Sequence, residues 1–171
     1  MDLGSALYSW RIRAVLRHVR GALLDFGCGT NQLVRVYGNG VGVDRYSSGY
    51  ADLVIEDAAA LPFESHTFDT VTILAALNHI PNREAALAEV HRVLKPNGTL
   101  AVTMIPPRIS FVWHKLRGRF DRDQVDRPWA PGEVYGLSRS HTRQLLLDAG
   151  FRGITQHRFM LGVNTLTIAH K

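Results

Sequence analysis

Chemistry is suggested first by four polar positions that lie just past apolar runs. Asp25 follows Leu23-Leu24 and precedes Phe26-Gly27-Cys28-Gly29, Asp44 closes Val41-Gly42-Val43, Asp57 follows Leu53 to Glu56, and Asn78-His79 follows Phe68 to Leu74. In an open sheet of parallel strands, ligands bind beyond the carboxyl ends of the strands, where the strand order reverses. An acid about 20 residues past the start of a glycine loop is placed to accept hydrogen bonds from two ribose hydroxyls. Asp44 is that acid. Gly27 and Gly29 remove side chains where a bound molecule touches the backbone, and a helix that begins just after them presents unpaired amides to it. Glycine turns join many strands to helices with no ligand present, so the argument rests on the whole set.

The elements that position these residues alternate between strand and helix. The sequence predicts a first helix over Ser5 to about Arg20, stopped by Gly21, then a strand over Ala22 to Phe26. A short helix over Gln32 to Tyr37 ends at Gly38-Asn39-Gly40, residue types that tolerate left-handed backbone. Strands over Val41 to Val43 and Asp52 to Ile55 follow, separated by too few residues for a full helix. Phe68 to Leu74 reads as a buried central strand, and Ala86, Leu87, Val90, Val93 and Leu94 mark one face of a helix running from Asn82 to the stop signal Lys95-Pro96-Asn97-Gly98. Thr99 to Ile105 is the fifth strand. After an irregular segment, a helix from about Arg139 to Ala149, capped by Ser138, leads to a hairpin of Gly153 to Leu161 and Asn164 to Ala169. The expected fold is α/β: a Rossmann-like, seven-stranded, mostly parallel sheet with an antiparallel C-terminal hairpin and helices on both faces.

Composition sets outer bounds. At 171 residues, 46% of them hydrophobic, the chain is expected to form one domain, 1–171, with a variable segment at about 106–137. Cys28 is the only cysteine, which excludes an internal disulfide and a thiolate cluster for a metal. No run is long enough to span a bilayer, and the arginine-rich start reads as a helix rather than a targeting peptide, so a cytoplasmic location is expected. The net charge of +5 permits acidic partners, with a basic cluster from Arg108 to Arg127.

Together these pieces resemble a class I S-adenosylmethionine-dependent methyltransferase of the type 11 group, which includes the ubiquinone and menaquinone biosynthesis C-methyltransferases. The resemblance is carried by Leu24 to Thr30, Val41 to Asp44, Asp57 to Phe63 with Phe68-Asp69, Asn78-His79-Ile80, Glu89 to Leu100, and Leu146 to Phe151. It covers most of the chain and lapses over about Pro106 to Leu137. It implies that Gly27, Cys28 and Gly29 pass against the methionine part of the cofactor, with Asp25 near its amino group. Asp44 would take the ribose hydroxyls, Arg45 would flank the adenine, Asp57 would accept from its exocyclic amine, and the amide of Ala58 would reach a ring nitrogen. The backbone of Leu74-Ala75 would face the methionine amine. Duller roles exist for the same side chains: Asp25 and Asp57 as turn formers, Asp44 as a cap. The chain also departs from the family pattern. Asn31 stands where a third glycine is usual, the segment after Asp44 is short, and one helix precedes the first strand where many relatives have more. Cover for the substrate could then come from a partner subunit, with a homodimer as one form of it.

The expected reaction gives S-adenosylhomocysteine as the product and needs no metal. The stretch Ala75 to His79 lacks the Asp/Asn-Pro-Pro-aromatic signature of enzymes that methylate exocyclic amines of bases, and the one cysteine lies in the cofactor loop, so a small-molecule acceptor is favoured over nucleic acid. An RNA methyltransferase and a cofactor-binding partner subunit without activity stand as alternatives. Candidates for acceptor chemistry are His79, His114, Tyr135 and His141, and Glu133-Val134-Tyr135 is the expected lid beside Trp113 and Trp129.

Overall fold

The structure, a computed structural model, describes residues 3–45, 49–109, 111 and 131–171. Seven strands form one sheet: β1 (Leu23–Phe26), β2 (Gly40–Asp44), β3 (Leu53–Val54), β4 (Phe68–Leu74), β5 (Leu94–Met104), β6 (Arg152–Phe159) and β7 (Asn164–His170). Their order is β3-β2-β1-β4-β5-β7-β6. The first five strands pair in parallel, while β7 runs antiparallel to both β5 and β6. The expected sheet and its antiparallel hairpin are therefore present. Strand order reverses beside β1, which has β2 on one side and β4 on the other, and this is the place where such sheets open a crevice.

Alternation along β1 decides which helices cover which face. Leu23 points into a cluster with Ile12 and Val15 of α1 (Leu3–Leu16) and Leu33 and Val34 of α2 (Gln32–Tyr37). Its neighbours Leu24 and Phe26 enter the other cluster, with Leu87 and Val90 of α3 (Arg83–Val93) and Leu145 and Leu146 of α4 (Arg139–Asp148). Both faces of β1 are thus buried, and Asp25 within the strand is buried with its apolar neighbours. Ser138 caps α4 as expected, accepting from the His141 N–H at 3.2 Å, and Gly38 ends α2 at φ 82°.

Some boundaries differ from the sequence reading. Helix α1 ends at Leu16 rather than near Arg20, and the chain then turns with the His18 N–H on the Val15 carbonyl. Strand β3 is only Leu53–Val54. Strand β5 starts at Leu94 because Leu94 pairs with Phe68, whereas Thr70 already pairs with Thr99; the stop signal Lys95 to Gly98 lies within this register shift, with Asn97 at φ 60°. Expectations for His114, Trp113 and Trp129, and for most of the basic cluster after Arg108, lie outside the described residues.

Helix α3 also fixes the loop that follows β3. The Glu89 carboxylate accepts the Leu61 N–H at 3.0 Å, and Arg92 donates to the carbonyls of Leu61 and Phe63 at 3.1 and 2.9 Å. The two side chains are themselves paired at 2.8 Å. Arg92 and the Leu61 amide hold the Glu89 carboxyl below its ordinary value. Glu89→Gln is expected to lower stability in urea unfolding at neutral pH by about 1–2 kcal/mol. A depressed carboxyl stabilises above its unfolded pKa and loses that contribution as pH falls through the folded value, so the difference between wild type and variant should vanish in acid.

Candidate functional site

At the switch point the glycine loop is tied to β2 by its own backbone. The N–H groups of Gly27 and Cys28 both donate to the Val43 carbonyl, at 2.9 and 3.0 Å, and the Gly29 N–H donates to the Asp44 carboxylate at 2.9 Å. Gly27 is needed for a close approach: at φ +76°, a Cβ there would stand 2.5 Å from that of Ala76 beyond β4. At Gly29, φ +53°, a Cβ would face open space, so the left-handed backbone rather than a close approach accounts for the glycine there.

Asn31 takes the left-handed backbone that its position demands, at φ 56°. It does more than tolerate that conformation. Its side-chain amide donates to the Tyr50 carbonyl at 3.0 Å and to Asp52 Oδ2 at 2.9 Å, and the same Asp52 oxygen accepts the Gly42 N–H at 2.8 Å. A Cβ on Gly42 would collide with the Asn31 side-chain oxygen, so the two residues are matched.

Beneath the loop, Asp25 is 1% exposed. The register that sets it beside Thr72 of β4 gives a 2.6 Å bond from the Thr72 hydroxyl to Oδ1, while no hydrogen-bond donor among the described residues reaches the buried Oδ2. Burial, with a smaller contribution from Asp44, pushes the Asp25 carboxyl up to about 7 against the opposing Thr72 bond. Two neighbours share this environment. Burial and then the Asp25 charge raise the Tyr8 hydroxyl to about 12, against a bond with Thr30. Burial and the surrounding carboxylates Asp25, Asp44 and Asp52 raise the Cys28 thiol to about 12, so it stays protonated and inert as a nucleophile.

A cavity of about 310 Å³ opens beside the loop, lined by Gly27, Asp44, Arg45, Asp57, Ala58 and His79 among others. That volume is at the lower end of ligand pockets. Five residues expected at a cofactor site thus share one cavity lining with His79. Asp57 also forms the turn that the duller account foresees, its Oδ1 taking the Ala59 N–H at 2.8 Å. Leu74 and Ala75 do not line the cavity; Leu74 is buried and the Ala75 N–H donates to the Thr103 carbonyl at 3.0 Å, leaving Ala76 at the surface of the cavity. Asp25, Cys28 and Gly29 lie outside its lining as well.

The acceptor-side candidates separate. His79 ends a short 3-10 turn, Leu77–His79, and its Nδ1 meets Glu133 Oε2 at 3.0 Å. The backbone brings them together: the Val134 N–H donates to the Asn78 carbonyl at 3.0 Å, the Asn78 side chain returns a bond to the Val134 carbonyl at 3.1 Å, and Arg83 grips the Gly132 carbonyl at 2.6 Å. Tyr135 lines a second, more open cavity of about 560 Å³ together with Arg108, Phe111 and Glu133, its ring edge-on to Phe111 with centroids 5.4 Å apart. His114 lies outside the described residues, and His141 sits exposed in the first turn of α4, away from both cavity linings. Sequence reasoning missed Tyr8, Asp52 and Arg83. Each acts on a partner far along the chain, and no local spacing announces it.

Residues 24–102 match the family described as methyltransferase domain. The chain is 28% identical over 179 residues to the ubiquinone/menaquinone biosynthesis C-methyltransferase UbiE of Pseudomonas syringae pv. tomato, covering 84% of this chain and 70% of that protein. It is 30% identical over 132 residues to a demethylmenaquinone methyltransferase of Staphylococcus epidermidis, covering 70% of this chain and 55% of that one. It therefore spans little more than half the length of several of the curated relatives it matches. Among solved structures it is similar in fold to a SAM-dependent methyltransferase from Archaeoglobus fulgidus, with a TM-score of 0.72 at 17% identity over 97% of this chain and 94% of that chain.

Two substitutions probe the loop. Asn31→Ala should lower stability in urea by about 2–3 kcal/mol, since it loses the Asp52 bond and keeps a strained left-handed backbone, whereas Asn31→Gly should cost about 1 kcal/mol less. A separate linkage concerns Asp25: it holds its proton to about 7 when folded against 3.8 ordinarily, so the native state binds the extra proton between those values and stability should fall as pH rises through that window. Asp25→Asn should remove that slope.

Proposed function

We propose that the chain is a class I S-adenosylmethionine-dependent methyltransferase and that it transfers the methyl group of S-adenosylmethionine to a small-molecule acceptor. The observation that carries this reading is the set of carboxylates around the glycine loop. Asp25, Asp44 and Asp57 make a poor setting for a pyrophosphate and a good one for a cationic amino acid joined to a nucleoside with free ribose hydroxyls. The residues present fit that molecule: a buried Asp25 oxygen with no donor among the described residues suits an ammonium group, and Asp44 and Asp57 stand in the cavity wall.

When bound, the cofactor supplies a methyl group on a sulfonium, an electrophile that needs no further activation. The chain's own work is to hold, align and exclude water. Asp25 neutralises the amino end, the Gly27 to Gly29 backbone passes along the methionine portion, and Asp44 accepts from the ribose. Arg45, Asp57 and Ala58 flank the base. His79 lines the same cavity, within reach of an acceptor bound there, with Tyr135 in the adjoining one. The curated relatives are named for quinone biosynthesis, and a quinone precursor is the first acceptor to test.

Calorimetry with S-adenosylhomocysteine is expected to give saturable binding that Asp44→Ala weakens by roughly 10–100-fold, the equivalent of one or two charged hydrogen bonds. No binding to the native chain, or displacement of the ligand by NADH, would overturn the reading.

A further inference from the structure

The two cavities meet at one hydrogen-bonded pair. His79 lines the cavity that holds Asp44 and Asp57, Glu133 lines the cavity that holds Tyr135 and Phe111, and the 3.0 Å bond between Nδ1 and Oε2 joins them. The Glu133 side chain is 2% exposed and that of His79 23% exposed, so the carboxylate is withdrawn from water while the ring keeps an accessible edge. Asn78 Nδ2, an amide nitrogen that can only donate, stands 3.0 Å from Nε2. Nε2 is therefore the acceptor nitrogen and the ring proton is on Nδ1, aimed at Glu133. Arg83 keeps this geometry in place, bonding the carbonyls of Leu77, Asn78 and Gly132 at 3.2, 3.1 and 2.6 Å.

A buried carboxylate on one nitrogen of an imidazole fixes its tautomer and favours the imidazolium formed when the other nitrogen gains a proton. We propose that His79 accepts the proton of the methyl acceptor, that Glu133 is the positioning residue that makes it able to do so, and that the acceptor is accordingly a hydroxyl compound. The inference rests on the methyltransferase reading above. A neutral amine is nucleophilic before it loses a proton, whereas a hydroxyl gains from a base in the transfer step. As the oxygen–methyl bond forms, the methyl–sulfur bond breaks with its electron pair left on sulfur, and the hydroxyl proton passes to His79 Nε2 in place of the Asn78 contact. The imidazolium is then held by Glu133 until it returns the proton to water. Among the described residues, the other charged groups near this pair are Arg83, which acts on Glu133, Arg108 in the Tyr135 cavity, and Asp44, Arg45, Glu56 and Asp57 in the lining shared with His79.

The test uses the full chain saturated with S-adenosylhomocysteine and 4-nitrophenol as the hydroxyl probe, whose phenolate is coloured. Below the probe's own pKa, the wild-type complex is expected to show bound phenolate. His79→Gln should abolish the signal, Glu133→Gln should move the pH at which it develops upward by about one unit, and Glu133→Asp should restore part of that shift. Calorimetric affinity for S-adenosylhomocysteine should stay the same in Glu133→Gln, which separates loss of the pair from loss of the fold or of the cofactor site. Absence of bound phenolate in a native chain that binds S-adenosylhomocysteine overturns the pair and leaves the methyltransferase reading standing, as does an unshifted Glu133→Gln. Failure of the native chain to bind S-adenosylhomocysteine overturns both.

Discussion

One carboxylate oxygen, Oδ2 of Asp52, accepts the Gly42 N–H at 2.8 Å and the Asn31 side-chain amide at 2.9 Å, and the shape of the glycine loop depends on it. Residues 27–31 must turn sharply from β1 into α2, and the usual way to allow this is a third glycine. Here an asparagine holds the left-handed position and its side chain becomes a strut to the segment before β3. Gly42 has to lack a side chain for that strut to fit. The loop, β2 and the entry to β3 are thereby one unit, and the Gly29 N–H is left directed at Asp44.

From that unit follows the electrostatic character of the site. Parallel strands end with their polar residues at one edge, so Asp25 of β1, paired with Gly42, has Asp44 two residues further along β2, and that carboxylate raises the cost of charging Asp25. Asp25 answers by holding a proton to about neutrality, with Oδ1 on the Thr72 hydroxyl and no described donor at the buried Oδ2. Such a group gains from a ligand that brings its own positive charge. The Cys28 thiol, pressed upward by the same carboxylates, is excluded from nucleophilic work, in keeping with direct transfer to an acceptor held in the cavity.

Much of this was legible in the sequence. The apolar runs, the glycine punctuation and the acids that follow them gave the seven strands, their order class and the three carboxylates, because those signals are local. What escaped was set by pairing across long distances. The bond of Glu89 to the Leu61 amide spans 28 residues, that of Asn78 to Val134 spans 56, and Asp25 depends on a register with Thr72 that no spacing reveals. Strand β5 began earlier than its β-branched core suggested because pairing with Phe68 outweighed a helix-stop motif. Tyr8 was read only as part of a helix beginning at Ser5, since its place beside Asp25 depends on how α1 crosses the sheet.

The central claim is that the carboxyl edge of β1, β2 and the loop after β3 forms a nucleoside-binding wall with an ammonium subsite at Asp25. A crystal structure of the chain with S-adenosylhomocysteine tests it directly. The account predicts both ribose hydroxyls on the Asp44 carboxylate, the adenine between Arg45 and Ala58, and the ligand's amino group in hydrogen-bond contact with Asp25 Oδ2 or with a water bound to it. A ligand seated in the Tyr135 cavity, or one that leaves Asp44 bonded only to Gly29, would contradict it.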